Sequence, residues 1–119
     1  MRLISIALLT ALAAPLPAFA APSPEQIAAA RLAYIEGDYG AALDTIRAAA
    51  EAGNAMALNI LGAAYEDGKG VEQNVAKAID LFEQAAKAGE VRARYNLGAL
   101  FAFGSGTVAE DRARATREF

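Results

Sequence analysis

Hydrophobic and polar positions follow two different patterns along the chain. Residues 3–12 form the only long apolar run, and they lie at the extreme N-terminus. Further along, bulky apolar residues recur at helical spacing, as Leu61 and Tyr65 do, and short glycine-containing segments separate the apolar stretches. The pattern predicts helices near residues 24–36, 39–52, 55–67, 75–88, 91–103 and 110–119.

An internal repeat organises the predicted helices into hairpins. Residues 57–70 match residues 93–106 at an offset of 36, and a leucine, a helix-internal glycine, an aromatic residue and two loop glycines coincide. Upstream, residues 42–53 match residues 78–89 at the same offset. Periods of about 20 to 50 residues are typical of solenoids. We therefore predict an all-α solenoid of about two and two-thirds helical hairpins, with repeats near 24–53, 54–89 and 90–119, the last one truncated.

Capping residues lie at the predicted starts of helices. Ser23 offers an N-cap for the first helix, Pro24 fits the first helical position, and Gln26 completes a capping box. A short acceptor side chain also precedes the second helix of each repeat, at Asp38, Asn74 and Asp111.

Glycines have two predicted roles. Because glycine adopts the left-handed conformation at low cost, it commonly ends helices, and this role is predicted for Gly53, Gly68, Gly89 and Gly104. Inside a helix, a glycine costs about 1 kcal/mol relative to alanine. Gly62 and Gly98 should offset that cost by letting a neighbouring helix approach closely.

The N-terminal residues have the organisation of a secretory signal peptide. Arg2 precedes the apolar run, and Ala18 and Ala20 fit the small-residue rule that places cleavage before Ala21. The run is too short to be a stable membrane anchor across roughly 30 Å of hydrocarbon. We expect a leader at residues 1–20, a repeat domain at residues 21–119 with no membrane span, and a periplasmic location, with secretion as the second option.

Composition narrows the function classes. The 119 residues include no histidine and no cysteine, which removes the usual proton shuttle, the thiol nucleophile and the common ligands of structural zinc. We therefore predict that the protein is not an enzyme and uses neither cofactor nor metal. A hydrophobic fraction of 55% with 21% charged residues indicates a folded body.

Charge is distributed unevenly along the chain. Residues 21–90 hold 5 basic and 11 acidic side chains, a net charge of −6, whereas residues 91–119 hold 5 basic and 3 acidic ones, a net charge of +2. This balance argues against nucleic acid as a partner and permits head-to-tail contacts between copies.

One pattern of residues resembles a known family. It reads Ala57-x-x-x-Leu61-Gly62-x-x-Tyr65-x-x-Gly68-x-Gly70-Val71-x-x-Asn74-x-x-Lys77-Ala78-x-x-x-Phe82-x-x-Ala85-Ala86-x-x-Gly89. Over residues 55–119 the chain resembles the Sel-1-like repeat, a relative of the tetratricopeptide repeat, in a small exported bacterial form. Residues 24–53 look closer to a tetratricopeptide hairpin. Asn74 stands where the family usually has aspartate, and the tryptophan-type aromatic that often follows Ala78 is absent.

The resemblance implies a right-handed α-α superhelix whose first helices line a concave groove, and a non-catalytic adaptor that binds a protein or peptide there. Transferring the tetratricopeptide groove positions to this chain gives the candidate binding residues Arg31, Tyr34, Asn59, Glu66, Arg92, Tyr95 and Phe103. Two alternatives to a binding role stay open for individual positions. Tyr34 and Phe103 could simply cover neighbouring helices, and Glu66 could be a solvated helix end.

Two other functions compete with the adaptor role. If the truncated third repeat leaves Leu97 and Phe101 incompletely covered, a second copy could complete it and form a homo-oligomer. Some secreted relatives of this repeat class are linked to peptidoglycan or β-lactam binding, so a cell-wall role is the other alternative. Ser23 and Ser105, the serines after the leader, lack the S-x-x-K setting of the corresponding enzymes.

Overall fold

The computed structural model describes residues 20–103, which form a succession of helices. Within that range there are five helices and no strand, so the all-α prediction is confirmed. Each predicted helix end in this range lies within one residue of the observed one. In chain order the helices are α1 (Pro24–Ile35), α2 (Tyr39–Glu51), α3 (Ala55–Asp67), α4 (Val75–Lys87) and α5 (Val91–Phe103). The predicted leader and the predicted helix near 110–119 lie outside the described residues, apart from residue 20.

Each helix packs against the next one along the chain, which is the arrangement of a helical solenoid. The first helices of successive hairpins are α1, α3 and α5, and the second helices are α2 and α4. A side-chain hydrogen bond between Asn96 and Asn59 also joins α5 directly to α3. The first helices α3 and α5 therefore contact each other in addition to the contacts that both make with α4.

The start of α1 has the predicted capping box. The amide of Gln26 donates to Ser23 Oγ at 3.2 Å, and the amide of Ser23 donates to Gln26 Oε1 at 2.8 Å. Asn74 caps α4 as predicted, because its Oδ1 accepts from the amide of Lys77 at 3.1 Å. Asn54 caps α3 in the same way.

The predicted cap at Asp38 is only half right. Asp38 is the residue before α2, but its side chain makes no capping hydrogen bond. Its backbone, with φ −88° and ψ 81°, lies outside the extended region that Ser23, Asn54 and Asn74 occupy. Instead, its amide donates to the carbonyl of Ala33 at 2.9 Å and helps to end α1. Asp111 lies outside the described residues.

Glycines end helices where the sequence predicts them. Gly53 and Gly89 have φ of 86° and 99° just after α2 and α4, and Gly68, with φ of 69°, caps α3. These values fall in the left-handed region, where a side chain would be strained. Gly104 is beyond the described part of the chain.

A glycine inside α3 allows a close contact with α4 in the core. A Cβ added to Gly62 would lie 2.7 Å from Cε1 and 2.8 Å from Cδ1 of Phe82, whose side chain is fully buried on α4. The close-packing role predicted for Gly62 is therefore confirmed. Phe82 belongs to one hydrophobic cluster that also includes Leu43 and Ile46 of α2.

The expectation that the third repeat leaves an uncovered apolar face is wrong for the residues named. Leu97 and Phe101 are each only 1% exposed. Both side chains belong to the same hydrophobic cluster as Phe82 and Leu58 of the preceding hairpin, so they are part of the core.

Gly62→Ala should destabilise the fold. The added methyl group would force the buried Phe82 ring to move, and overpacking of this kind costs roughly 1–3 kcal/mol, partly offset by about 1 kcal/mol of helix propensity. We expect the free energy of unfolding, measured by urea denaturation and circular dichroism, to fall by about 1 kcal/mol, the middle of the resulting range.

The matched control is Gly40→Ala in α2. No atom lies within 4 Å of a Cβ at that position, and the backbone φ is not positive. This variant should raise the free energy of unfolding by about 0.5 kcal/mol. A Gly62→Ala protein as stable as the Gly40→Ala protein would contradict the close-contact account.

Candidate functional site

The seven candidate binding residues all lie on the three first helices, and none of them lies on α2 or α4. Their shared surface is called the first-helix surface below. Four of them are exposed and three are half-buried. Tyr95 and Phe103 are 66% and 85% exposed, which is unusual for large aromatic side chains. The exposed members are Arg31, Arg92, Tyr95 and Phe103, and the half-buried members are Tyr34, Asn59 and Glu66.

The C-terminal ends of α1 and α3 form an acidic part of the first-helix surface. Burial, with smaller contributions from the negative charge of Asp67, from Tyr39 and from the negative charge of Glu66, raises the pKa of the Tyr34 phenol to about 12. Burial and the neighbouring Asp67 also raise the pKa of Glu66 above its usual value. The Tyr34 hydroxyl therefore stays protonated at neutral pH and can donate a hydrogen bond beside two carboxylates.

The start of α5 forms a basic part of the same surface. Arg92 Nε lies 3.0 Å from Glu90 Oε1, and Arg92 Nη2 lies 3.4 Å from Glu90 Oε2. This hydrogen bonding lowers the pKa of Glu90, and the charge of Arg31 on α1 contributes to the same shift. The carboxylate of Glu90 thus orients the Arg92 guanidinium and faces the positive charge of α1.

Between these parts, an amide pair links α3 to α5. Asn96 Nδ2 donates to Asn59 Oδ1 at 2.9 Å in a partly buried position. Sequence analysis selected Asn59 but missed Asn96. A signal was present, since Asn96 falls where the preceding repeat has the buried Ile60, and an amide at such a position needs a polar partner.

The structure also bears on the alternatives for individual residues. The Tyr34 and Tyr39 rings have centroids 5.2 Å apart with an interplanar angle of 59°, so Tyr34 does cover the neighbouring helix in part. Phe103, in contrast, leaves most of its surface open. Glu66 is half-buried, so it is more enclosed than a solvated helix end.

The hydroxyl oxygen of Ser23 accepts a hydrogen bond from the amide of Gln26, so this serine serves as the cap of α1.

In the described part of the chain, no cluster of three or more acidic residues could hold a metal ion. Within residues 20–103, none of the helices has both the length and the apolarity that crossing a bilayer requires.

Comparison with protein families identifies the repeat. The model of the Sel1 repeat matches residues 55–90 and 91–117, which is more than half of the chain. The protein therefore belongs to the Sel1 repeat family. The first match begins where α3 begins and the second where α5 begins, so each match starts at a first helix.

Sel1 repeats are in general protein-interaction modules. The α1–α2 hairpin lies outside both matches. A search of curated proteins gives no significant match to this chain.

The raised pKa of Tyr34 predicts a specific loss of stability in alkali. Between about pH 10 and pH 12 the unfolded state loses the phenol proton while the folded state keeps it, so the free energy of unfolding falls as pH rises through this window. Tyr34→Phe removes the titrating group and should flatten the fall, and Asp67→Asn should reduce it. Urea denaturation at pH 9, 10 and 11 measures the slope, and equal slopes for the wild-type protein and Tyr34→Phe would contradict the assignment.

Proposed function

We propose that the protein is a non-catalytic adaptor that binds a protein or peptide partner on the first-helix surface. One observation carries the proposal. In the described part of the chain, the large apolar side chains that stay exposed all lie on first helices, and α2 and α4 carry none of them. They are Leu32 and Ile35 on α1 and Val91, Tyr95 and Phe103 on α5.

Exposed apolar side chains cost solubility, and grouped ones mark interaction sites more often than scattered ones. Tyr95 and Arg92 lie within one turn of α5, and both residue types are enriched among the residues that dominate binding energy. The acidic end at Tyr34 and Glu66 and the ordered guanidinium of Arg92 supply polar contacts that can fix the orientation of a partner.

The other functions have less support in the geometry. Homo-oligomer formation through the third repeat loses its stated basis, because Leu97 and Phe101 are buried. No contact among the described residues argues for or against peptidoglycan binding, and retention on purified peptidoglycan tests it directly.

Substitutions on α5 test the adaptor proposal. The wild-type protein is used to capture proteins from a periplasmic extract, and the affinity of each captured protein is then measured with Tyr95→Ala and Arg92→Ala. Because a central aromatic or arginine residue contributes on the order of 1–2 kcal/mol or more, each variant should weaken binding about tenfold.

Lys87→Ala is the control, since Lys87 is an exposed residue of α4, which carries none of the candidate binding residues. It should bind like the wild-type protein, and circular dichroism should show that all variants are folded. Unchanged affinity for Tyr95→Ala and Arg92→Ala would exclude the first-helix surface as the binding site. Retention on purified peptidoglycan without any captured protein would favour the cell-wall role instead.

We also propose that the protein is exported to the periplasm of a bacterium after cleavage before Ala21. Support comes from the order of Arg2, the apolar run and the small residues Ala18 and Ala20. When the chain is expressed in a Gram-negative host, osmotic shock should release it, and its measured mass should correspond to residues 21–119. Replacement of Ala20 by aspartate should block cleavage, and full-length chain in the cytoplasm of the wild-type strain would contradict export.

A further inference from the structure

A second groove lies between α2 and α4, with α3 as its floor. Two adjoining cavities, of about 530 Å³ and about 230 Å³, share three lining residues: Arg47 of α2, Tyr65 of α3 and Lys77 of α4. These three residues define the α2–α4 groove. The larger volume falls in the range of about 300–1,000 Å³ that is typical of ligand sites.

The segment between α3 and α4 builds the wall of the larger cavity and is held in place by specific contacts. Gln73 Nε2 donates to the carbonyl oxygen of Glu66 at 2.8 Å, and the amide of Asn74 donates to the carbonyl oxygen of Tyr65 at 2.8 Å. Gly70, with φ of 75°, packs so closely on α2 that a Cβ would lie 2.6 Å from Tyr39 Cβ. The wall is therefore a fixed part of the fold.

The groove concentrates positive charge in an acidic part of the chain. Residues 21–90 hold 5 basic and 11 acidic side chains, and two of the five basic ones line both cavities. Glu72 lines only the larger cavity and Glu51 only the smaller one, so the acidic side chains lie toward the two ends and the basic ones lie at the shared centre.

The two cations are placed to accept an external anion. Lys77 Nζ lies 4.8 Å from the centroid of the Tyr65 ring, and this cation–π contact positions the ammonium group while its hydrogen-bond donors stay available. Arg47 Nη1 lies 4.0 Å from Asp44 Oδ1, at the limit of an ion pair, and the two side chains are 43% and 82% exposed. Such a surface pair contributes little and is readily exchanged for a better-placed carboxylate.

The rest of the lining fits a peptide better than a small inorganic anion. The smaller cavity has an apolar floor formed by Leu58, Leu61 and Leu81, which can receive an aliphatic side chain. Gln73 lines the larger cavity and Gln84 the smaller one. Nε2 of Gln73 donates to Glu66 O and Nε2 of Gln84 donates to Asp80 Oδ2, so their amide oxygens are the groups that can accept from a peptide backbone.

We propose that the α2–α4 groove binds an extended acidic peptide segment of a partner protein. A glutamate or aspartate carboxylate of the peptide lies between Arg47 and Lys77, and an adjacent aliphatic side chain lies on the leucine floor. This site is separate from the first-helix surface, and it gives the protein a second place at which to hold a partner.

Nuclear magnetic resonance titration of the purified protein tests the proposal. The probe is the capped peptide acetyl-Leu-Glu-Leu-amide, and acetyl-Leu-Gln-Leu-amide is its uncharged match. The glutamate peptide should cause saturable shifts of the amides of Arg47, Tyr65 and Lys77 and bind about tenfold more tightly than the glutamine peptide, since charge-assisted hydrogen bonds are roughly twice as strong as neutral ones. Equal affinities, no saturable shift, or shifts confined to Arg92 and Tyr95 would overturn the proposal.

Variants separate the groove from other surfaces. Arg47→Gln and Lys77→Gln should each weaken binding of the glutamate peptide about tenfold, whereas Lys87→Gln removes a charge from α4 outside the groove and should not. Tyr95→Ala should also leave the affinity for the glutamate peptide unchanged, even where it weakens binding of a protein partner at the first-helix surface. Loss of binding with Lys87→Gln would indicate a general charge effect. Full competition by an equal concentration of inorganic phosphate would indicate a simple anion site. Either result would contradict a peptide groove.

Discussion

The α3–α4 hairpin depends on the contact between the ring of Phe82 and the backbone of Gly62. The ring is fully buried and lies where a Cβ of residue 62 would be, so the two helices approach more closely than any larger residue would permit. A glycine in the middle of a helix costs about 1 kcal/mol. Burial of a whole aromatic side chain stabilises the fold by about 1.5–3 kcal/mol, which exceeds that cost. Because α3 also packs on α2, and α4 on α5, this hairpin joins the first part of the described chain to the last.

Packing of this kind buries one face of every helix in the core and leaves another face accessible for binding. The buried positions recur from repeat to repeat, as Leu61 and Leu97 show, whereas the corresponding outer positions Asn59 and Tyr95 differ. A solenoid can therefore change what it binds without changing how its helices stack. The exposed apolar residues of α1 and α5 follow this division, since the second helices in the described part of the chain expose no large apolar side chain.

Charge is also divided between two places. The first-helix surface combines an acidic end around Tyr34 and Glu66 with the positive charges of Arg31 and Arg92, and Glu90 is bonded to Arg92 and feels the charge of Arg31. The α2–α4 groove carries two cations and an aromatic ring. In a body with a net charge of −6, placing basic side chains at defined points gives each surface a sign that a partner can recognise.

The sequence by itself determined the helices and their ends, because those depend on residues within a few positions of each other. The capping box of Ser23 and the left-handed Gly53 are examples, and the offset of 36 predicted the stacked hairpins. Asp38 shows the limit, since its side chain has the right chemistry but its backbone does not direct it to α2. Only the tertiary structure decided the burial of Leu97, the Asn59–Asn96 hydrogen bond and the groove around Tyr65. Each joins residues from different helices, and their separation is set by how the helices cross, which no local pattern of residues specifies.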